Sequence, residues 1–589
     1  MLRINGLLLL LCLPVVTSGQ GTDLPPDNPA HEILDRLLIR TGLEAPFHPA
    51  VQPYRRADAA KYALHIDTTP AFLTGQDRLD LFYLFKDNNE WLGQAPYATT
   101  LFGRRVPVWP DTTRTQIEAS VQDYRYIERR KPILGIFYPT PANFLQVNSR
   151  HFHLRLNPVL DLRLGYDWAE GELLFHNQRG LRLRAGVDDR LYLFFELLET
   201  QARLPNYVNR FEADFRALPG QGLLKPYELP LLGVSDGWDY LNGQGYLGFH
   251  ITPHVSMQFG YGRHFIGNGY RSLFLSDFSN NYLYLRLDWR VWKLHYRNIF
   301  TELALESANA LPDGTLVNKR YMSAHYLSFS PNGRWHIGLF EAVVFARNNQ
   351  YELHYLNPVI LYRTVEQAIG SPDNVLLGLD AHWNFARHFQ LYGQLLLDEF
   401  TFSELVTDNR GWWGNKIGAQ AGLKYINAFG LDHLDLQAEY NSIRPYTYSF
   451  RDSSASFSHY NQALAHPLGA NFREFILRAR WQPLRKLRLH GRFLWVRSGD
   501  DPPGQNLGGN ILLPSDTRAM EYGNTIGQGI AARTFFIGLE ASWQLFHNAF
   551  LDLYYQYRSK NSEEAALSMR THFIGGGFRM NIFPRAGIY

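Results

Sequence analysis

Several groups of residues in this 589-residue chain have types and spacings that suit chemistry. Gly233-Val234-Ser235-Asp236-Gly237 matches the G-x-S-x-G turn of serine hydrolases, which needs a strand before the serine and a helix after it. Here it stands in a long segment between Pro230 and Trp238-Asp239-Tyr240, and reads as a Gly-rich loop. His250, His254 and His264 carry metal-binding nitrogens, but no carboxylate or Cys stands beside them at ligand spacing, so they read as separate histidines. Asp398 with Glu399, and Asp373 with Asp380, are paired acids of the kind glycosidases use. Adjacent strand residues point to opposite faces, so Asp398 and Glu399 cannot cooperate directly. These acids are expected to answer lumen arginines such as Arg363 and Arg347. Trp412, Trp413, Asn415 and Lys416, and the stretch from His459 to Phe472 with His466 and Asn471, set aromatic rings beside hydrogen-bonding groups. Sugars want that combination of apolar ring faces and fixed polar partners. For Trp412 and Trp413 the alternative is a membrane girdle at a strand end.

Two kinds of element must position these residues. From Asn28 to about residue 95 the spacing is helical: Asn28 can cap, Pro29 opens a helix, Ile33, Leu34, Leu37 and Leu38 share a face, and Gly42 ends it. Arg56 to Ile66, and a segment opened by Thr74 with Leu79, Phe82 and Tyr83, repeat the pattern. After about residue 115 the period becomes two. Leu283, Leu285, Leu287 and Trp289 alternate with Tyr284, Arg286, Asp288 and Arg290; Ile537, Leu539, Ala541 and Trp543 precede a His547-Asn548 turn, and Leu551, Leu553, Tyr555 and Tyr557 return. Phe152 to Leu156 and Leu160 to Tyr166 read as a hairpin about a Pro158-Val159 turn. Tight turns alternate with connections of tens of residues, which is the asymmetry of a bacterial outer-membrane barrel of roughly 18 to 20 strands. A soluble sandwich or propeller would also alternate, but the Trp, Tyr and Phe at strand ends suit interfacial girdles, and the Arg, Asp, Gln and His on the other face suit a wet lumen.

Composition narrows the classes. The chain is 45% hydrophobic and 19% charged with a net charge of +3, so it has a core to bury and no basic field for nucleic acid. It holds 39 Phe, 34 Tyr and 13 Trp at a mean hydropathy of -0.27, which spreads ring surface among polar residues in a way no helical membrane protein does. Arg3, the apolar run Leu7 to Val16, and Thr17-Ser18-Gly19 have the form of a cleaved export signal. Cys12, the one cysteine, lies within that run and lacks the small residues before it that a lipid anchor needs.

Five segments carry a family likeness: Gly260 to Ser272 (GYGRHFIGNGYRS), Tyr321 to Leu327 (YMSAHYL), Tyr351 to Pro358 (YELHYLNP), Gly370 to Gly378 (GSPDNVLLG) and His466 to Phe472 (HPLGANF). In these ordered blocks the chain resembles the RemB gliding-motility proteins, which in turn resemble the wider Wzi capsule-assembly family. The likeness runs over most of residues 120 to 589. The Wzi resemblance implies an outer-membrane barrel of about 18 strands with a periplasmic helical bundle, holding capsular or exopolysaccharide at the cell surface without catalysis. The RemB resemblance implies a part in surface motility.

The expectation is therefore an all-β transmembrane outer-membrane barrel: residues 1–19 a signal peptide, 20–115 a helical periplasmic segment, and 116–589 the barrel with long extracellular loops. It is expected to be no enzyme, to take no cofactor or metal, and to act in polysaccharide attachment or assembly and gliding motility; the alternative is a porin-type channel for small solutes. Expected partners are outer-membrane lipid, surface polysaccharide and gliding or export machinery. Trp412, Trp413, Asn415, Lys416, His466 and Asn471 are the expected glycan contacts, and Arg263, Arg271, Asp277, Arg363 and Asp398 the expected lumen network.

Overall fold

The computed structural model describes residues 21–69, 73–91, 142–149 and 151–583, apart from residues 189, 231, 232, 313, 360, 372, 400, 402 and 405–409. The expected signal peptide, the domain boundary at 115/116 and the terminal Tyr589 lie outside the described residues.

Eighteen antiparallel strands close into a barrel. They are β1 (Phe152–Asp167), β2 (Glu172–Val187), β3 (Leu191–Arg203), β4 (Val234–His250), β5 (Val255–Gly262), β6 (Tyr282–Val291), β7 (Leu294–Ala304), β8 (Lys319–Asn332), β9 (Trp335–Phe345), β10 (Asn374–Phe385), β11 (Phe389–Glu399), β12 (Lys416–Tyr425), β13 (Leu434–Ile443), β14 (Phe472–Leu484), β15 (Leu487–Asp500), β16 (Ile530–Phe546), β17 (Ala549–Ser562) and β18 (Met569–Met580). Each pairs with the next, and β18 closes on β1 with Phe573 opposite Asp167 and Met580 opposite Leu160. The turns after β2, β4, β6, β8, β10, β12, β14 and β16 are short, and most of the connections at the other end are long.

One expected turn is corrected. Pro158-Val159 lies inside β1, and the outward set Phe152 to Tyr166 runs through it without a break. Pro158 has no N–H to give a ladder, so in a sheet it needs a gap. It has one: on that edge of β1 a short strand, Leu145–Asn148, pairs with residues 153 to 156, and β18 pairs only from Leu160 onward. The Pro158 carbonyl accepts from Asn581 Nδ2 in the gap at 2.7 Å.

The outward face of the wall is apolar, with Leu164, Leu247, Phe259, Leu339, Leu391 and Leu553 among the exposed residues. Near the short turns the rings of Trp335, Trp383, Phe385, Phe389 and Tyr425 stack in a row at centroid distances of 4.4–5.3 Å. An apolar belt ending in an aromatic girdle on a closed ladder is the form of a membrane-spanning barrel.

Loops and helices enter the described lumen from both ends, and an open space of about 80 Å³ remains between Tyr270 and the inward Arg478, Arg492, Glu540 and Gln556. From the long-loop end, residues 263–281 and 444–471 fold inward, and Leu273, Phe274, Tyr448, Phe457 and Leu464 make an apolar core with the inward Phe340, Ile476 and Phe536. From the short-turn end enter three helices, α1 (Ala30–Thr41), α2 (Arg56–Thr68) and α3 (Gly75–Asp87). Their signals are as the sequence implies: the Asn28 side chain accepts from the Ala30 N–H at 2.8 Å, Gly42 ends α1 in the left-handed region, and Thr74 and Asp77 form a reciprocal cap on α3. Val51–Gln52 of this unit pairs with Phe265–Ile266 of the inward loop, so the two fillings meet.

Ion pairs hold the helical unit in the mouth. Its Asp23, Glu32, Asp58 and Glu90 meet the inward Arg286, Arg480, Arg290 and Arg184 at 2.9, 2.6, 2.5 and 2.8 Å. Burial holds the imidazoles of this contact neutral. His31 and His433, in the turn between β12 and β13, are pushed down to about 4, and His48 is pushed well below its usual range by burial and by the neighbouring His295 and His336. Burial moves Asp80 the other way, up to about 7. A depressed histidine adds stability above its unfolded value near 6.5 that is lost as pH falls toward 4; a raised carboxyl adds stability at low pH that is lost as pH rises through 7. Three histidines oppose one aspartate, so acidification is expected to loosen the unit. Protection factors of residues 21–69 against hydrogen exchange should fall by about tenfold or more from pH 7.5 to 4.5, one pKa unit being a factor of ten. Equal protection at both values would refute it.

Candidate functional site

The sequence-derived candidates separate into three places. Ser235 lies at the exposed start of β4, one residue after Val234, with no helix following; Asp236 pairs with Arg203 at 2.8 Å. His250 stacks on Tyr192 at 5.5 Å, His254 bonds the Arg290 carbonyl at 2.9 Å, and His264 bonds the Tyr282 hydroxyl at 3.2 Å, so the three do not converge. Asp398 and Glu399 do point apart: Asp398 is buried and accepts from the Tyr448 N–H at 2.7 Å, whereas Glu399 faces Lys416 at 3.3 Å.

Four of the five expected lumen residues are inside the barrel or its inward loops. Arg263 donates to the carbonyls of Asp277 and Ser279 at 2.9 Å each. The Arg271 guanidinium lies 3.6 Å from Glu474, and its backbone N–H donates to Glu439 at 3.0 Å. Asp277 is partly buried beside them. Arg363 is the exception. Its side chain is exposed outside the barrel and pairs with Glu366 at 2.6 Å, because the loop between β9 and β10 leaves the rim and does not enter the lumen. The Arg347–Asp373 pair, at 2.7 Å, belongs to that outer loop as well.

The expected glycan contacts also divide. His466 is fully buried and bonds Glu474 at 2.7 Å. Asn471 is fully buried at φ 61, donating to the carbonyls of Gly499 and Gln528 and accepting from the Gly527 N–H. Asn415 accepts from the Thr401 N–H at 3.1 Å, and Lys416 Nζ donates to the Ser449 carbonyl at 2.9 Å; both are buried. All four hold loops together, and the stretch His459 to Phe472 is lumen filling, so the surface role expected for them is not available in this structure. The same rings and amides that would suit a sugar suit a packed plug.

Trp412 and Trp413 remain at the long-loop rim, half-buried, with ring centroids 5.9 Å apart. They stand where residues 410–415 run alongside residues 518–524. The Gly523 N–H donates to the Arg410 carbonyl, Asn524 to Gly411 and Trp413 to Glu521, at 2.8–3.0 Å. Gly411 sits at φ 70, and a Cβ there would lie 2.9 Å from the Asn524 backbone, so this approach requires glycine. Trp413 is clamped by Arg518, 4.2 Å above its ring, by Lys416 at 5.3 Å and edge-on by Tyr446 at 6.2 Å. Next to it Arg410 lies 4.3 Å over Tyr522, whose hydroxyl donates to Glu404 at 3.2 Å. The product is a cluster of three rings at one rim, Trp412 and Trp413 inclined by 58° to each other, with guanidiniums over Trp413 and Tyr522 and with Glu404 and Glu521 beside them. Arg410, Arg518 and Tyr522 were missed in sequence, since more than a hundred residues separate the two loops and no spacing signals their meeting. The ring faces that the guanidiniums leave open can stack a flat apolar face, and the charged groups can bond hydroxyls or acid groups around it; among the cluster's described residues there is no nucleophile–base pair.

No protein-family model matches the chain, and no curated protein matches it. Among solved structures, OprD and OccK8 (OprE) of Pseudomonas aeruginosa align at 10% and 8% identity over 72% and 73% of this chain, 95% and 98% of theirs, with TM-scores of 0.39. Wzi of Escherichia coli, described as an outer membrane protein involved in group 1 capsule assembly and as a carbohydrate-binding β-barrel, aligns over 96% of this chain and 100% of its own at 12% identity and a TM-score of 0.54. The chain thus shares its barrel fold with Wzi over 96% of its length.

Proposed function

We propose that the chain is a non-enzymatic outer-membrane barrel that holds capsular or exopolysaccharide at the cell surface on the Trp412–Trp413–Tyr522 platform. The observation that carries the reading is this half-exposed ring cluster, edged with cationic and acidic hydrogen-bonding groups, at the long-loop rim of a barrel whose lumen is entered by loops and helices from both ends. The Wzi fold supports it, since that barrel is described as binding carbohydrate. The ordered sequence blocks in which the chain resembles the RemB proteins suggest gliding motility as the cellular setting, with export through a cleaved leader and gliding or export proteins as partners.

Purified protein should retain acidic surface polysaccharide on a glycan array. Replacing Trp412 and Trp413 together by Ala should weaken retention by about thirtyfold or more, since a buried aromatic anchor contributes about 2 kcal/mol. Retention unchanged in the double variant would remove the platform from the site. A persistent single-channel current through a planar bilayer would instead favour the channel.

A further inference from the structure

The loop between β9 and β10, residues 346–373, does not stand above the rim. It folds down the outside of the wall. Outward positions low on β9 are bare, Leu339 being 55% exposed, yet Val343 on the same face is 0% exposed, covered by the loop. Phe345 lies 4.8 Å from Tyr355, Tyr321 lies 5.3 Å from Tyr351, and His325 lies 3.9 Å from Tyr362, centroid to centroid. The lowest point is Pro358, whose carbonyl accepts from Tyr296 and Asn298 of β7 at 2.5 and 3.2 Å. Tyr296 is two residues from the short-turn end of its strand, so the strap crosses most of the height of the wall.

Irregular backbone is not tolerated against hydrocarbon unless its polar groups are met by protein. Here the wall meets them. Asn298, Ser323, His325 and Glu341 are polar residues on the face where neighbouring positions are Leu, Ile and Trp, and each lies under the strap. Ser323 bonds the Tyr351 hydroxyl, Glu341 accepts from the Arg363 N–H at 3.3 Å, and Tyr296 and Asn298 hold Pro358. A short helix, α5 in chain order after Asn206–Phe215 as α4, satisfies the backbone over Tyr362–Ile369. The strap's charged side chains are paired with each other, Glu352 with His354 and Arg363 with Glu366, at 2.6 Å each. Facing away from the wall are Leu353, Val359 and Leu361, exposed by 71%, 83% and 63%, which continue the apolar belt of Leu339, Leu377 and Leu379, with the exposed Asn357, Thr364 and Gln367 and the ion-paired His354 and Arg363 between them. Three of the sequence blocks, Tyr321 to Leu327, Tyr351 to Pro358 and Gly370 to Gly378, meet in this one unit.

We propose that residues 346–373 form a membrane-inserted strap whose outer face contacts the acyl chains of the bilayer, the polar patch on β7–β9 being its hydrogen-bonded seat. The surface is independent of the glycan platform.

The test is depth quenching of bimane on single cysteines, in a Cys12→Ser background of the full chain reconstituted in phosphatidylcholine–phosphatidylglycerol vesicles. Val359→Cys is compared with Leu339→Cys on the bare belt and Leu316→Cys on the loop between β7 and β8. Doxyl-labelled phosphatidylcholine should quench V359C within about twofold of L339C, and iodide should quench it at least about tenfold less than L316C. Leu353→Cys gives a second reading if V359C fails to fold. Iodide quenching equal to that of L316C would place the strap in water and overturn the proposal. Lipid quenching in vesicles that disappears in native membranes would overturn it too, by showing that a protein covers this face.

Discussion

Replacing Arg36 by Met is expected to release the helical unit from the barrel mouth and to lower stability by about 3–5 kcal/mol, the usual cost of leaving buried charges without their partner. Arg36 projects from α1 and is almost fully buried. Its guanidinium bonds Asp77 and the Asn427 side chain, and lies 3.3 Å from Asp80 and 3.2 Å from Asp435 of β13. Asp77 and Asp80 belong to α3, so one cation joins two helices to the wall. Burial pushes the Asp77 carboxyl up, but Arg36 beside it outweighs this and holds it below the usual range; Asp80, with burial dominant, rises to about 7. Without the cation, protonation is the relief left to these acids, so the variant's deficit should be larger at pH 8 than at pH 5. Thermal unfolding in detergent at both values, with protease cleavage between residues 21 and 91 as the local readout, tests this. A deficit under about 1 kcal/mol at pH 8 would show that the helices are held by apolar packing alone.

Asp288→Ala is expected to have an effect of similar size inside the wall. The Asp288 carboxylate on β6 lies 2.9 Å from Arg286, 2.7 Å from Arg297, 2.9 Å from His295 and 3.9 Å from Arg55. Taking it away leaves Asp23, 2.9 Å from Arg286, and Asp58, whose charge acts on Arg55, to balance the cluster. The cost is again about 3–5 kcal/mol, because three guanidiniums stay buried with too little negative charge among them. Arg297 also donates to the Gln52 carbonyl at 3.0 Å, so the segment that joins α1 to α2 should loosen with it. Asp288→Asn, which keeps an acceptor, should lose less. Unfolding midpoints of the two variants that match wild type would mean that the lumen tolerates unpaired guanidiniums.

The wall was legible because a barrel imposes a period of two, and strand parity survives without knowledge of neighbours. Arg286, Asp288 and Arg290 could be placed on the polar face that way. The helix limits were legible because caps are local. Pro158 was misread as a turn since its tolerance depends on a gap between two other strands, which no local pattern encodes. His466 and Asn471 were misread for a different reason: an aromatic, Asn-rich loop has the same composition whether it projects into water or folds into the lumen. The strap had a usable signal. His325 and Glu341 hold outward parity on β8 and β9, and polar residues on the apolar face call for a cover.

The two-residue ladder between Val51–Gln52 and Phe265–Ile266 has a consequence for how the molecule is put together. It joins a segment that precedes every barrel strand to a loop between β5 and β6, inside a cylinder that closes only when β18 reaches β1. Backbone hydrogen bonds there tie the filling that enters from the short-turn end to the filling that enters from the long-loop end, so a pull on the helices is carried through main chain to the loop between β5 and β6.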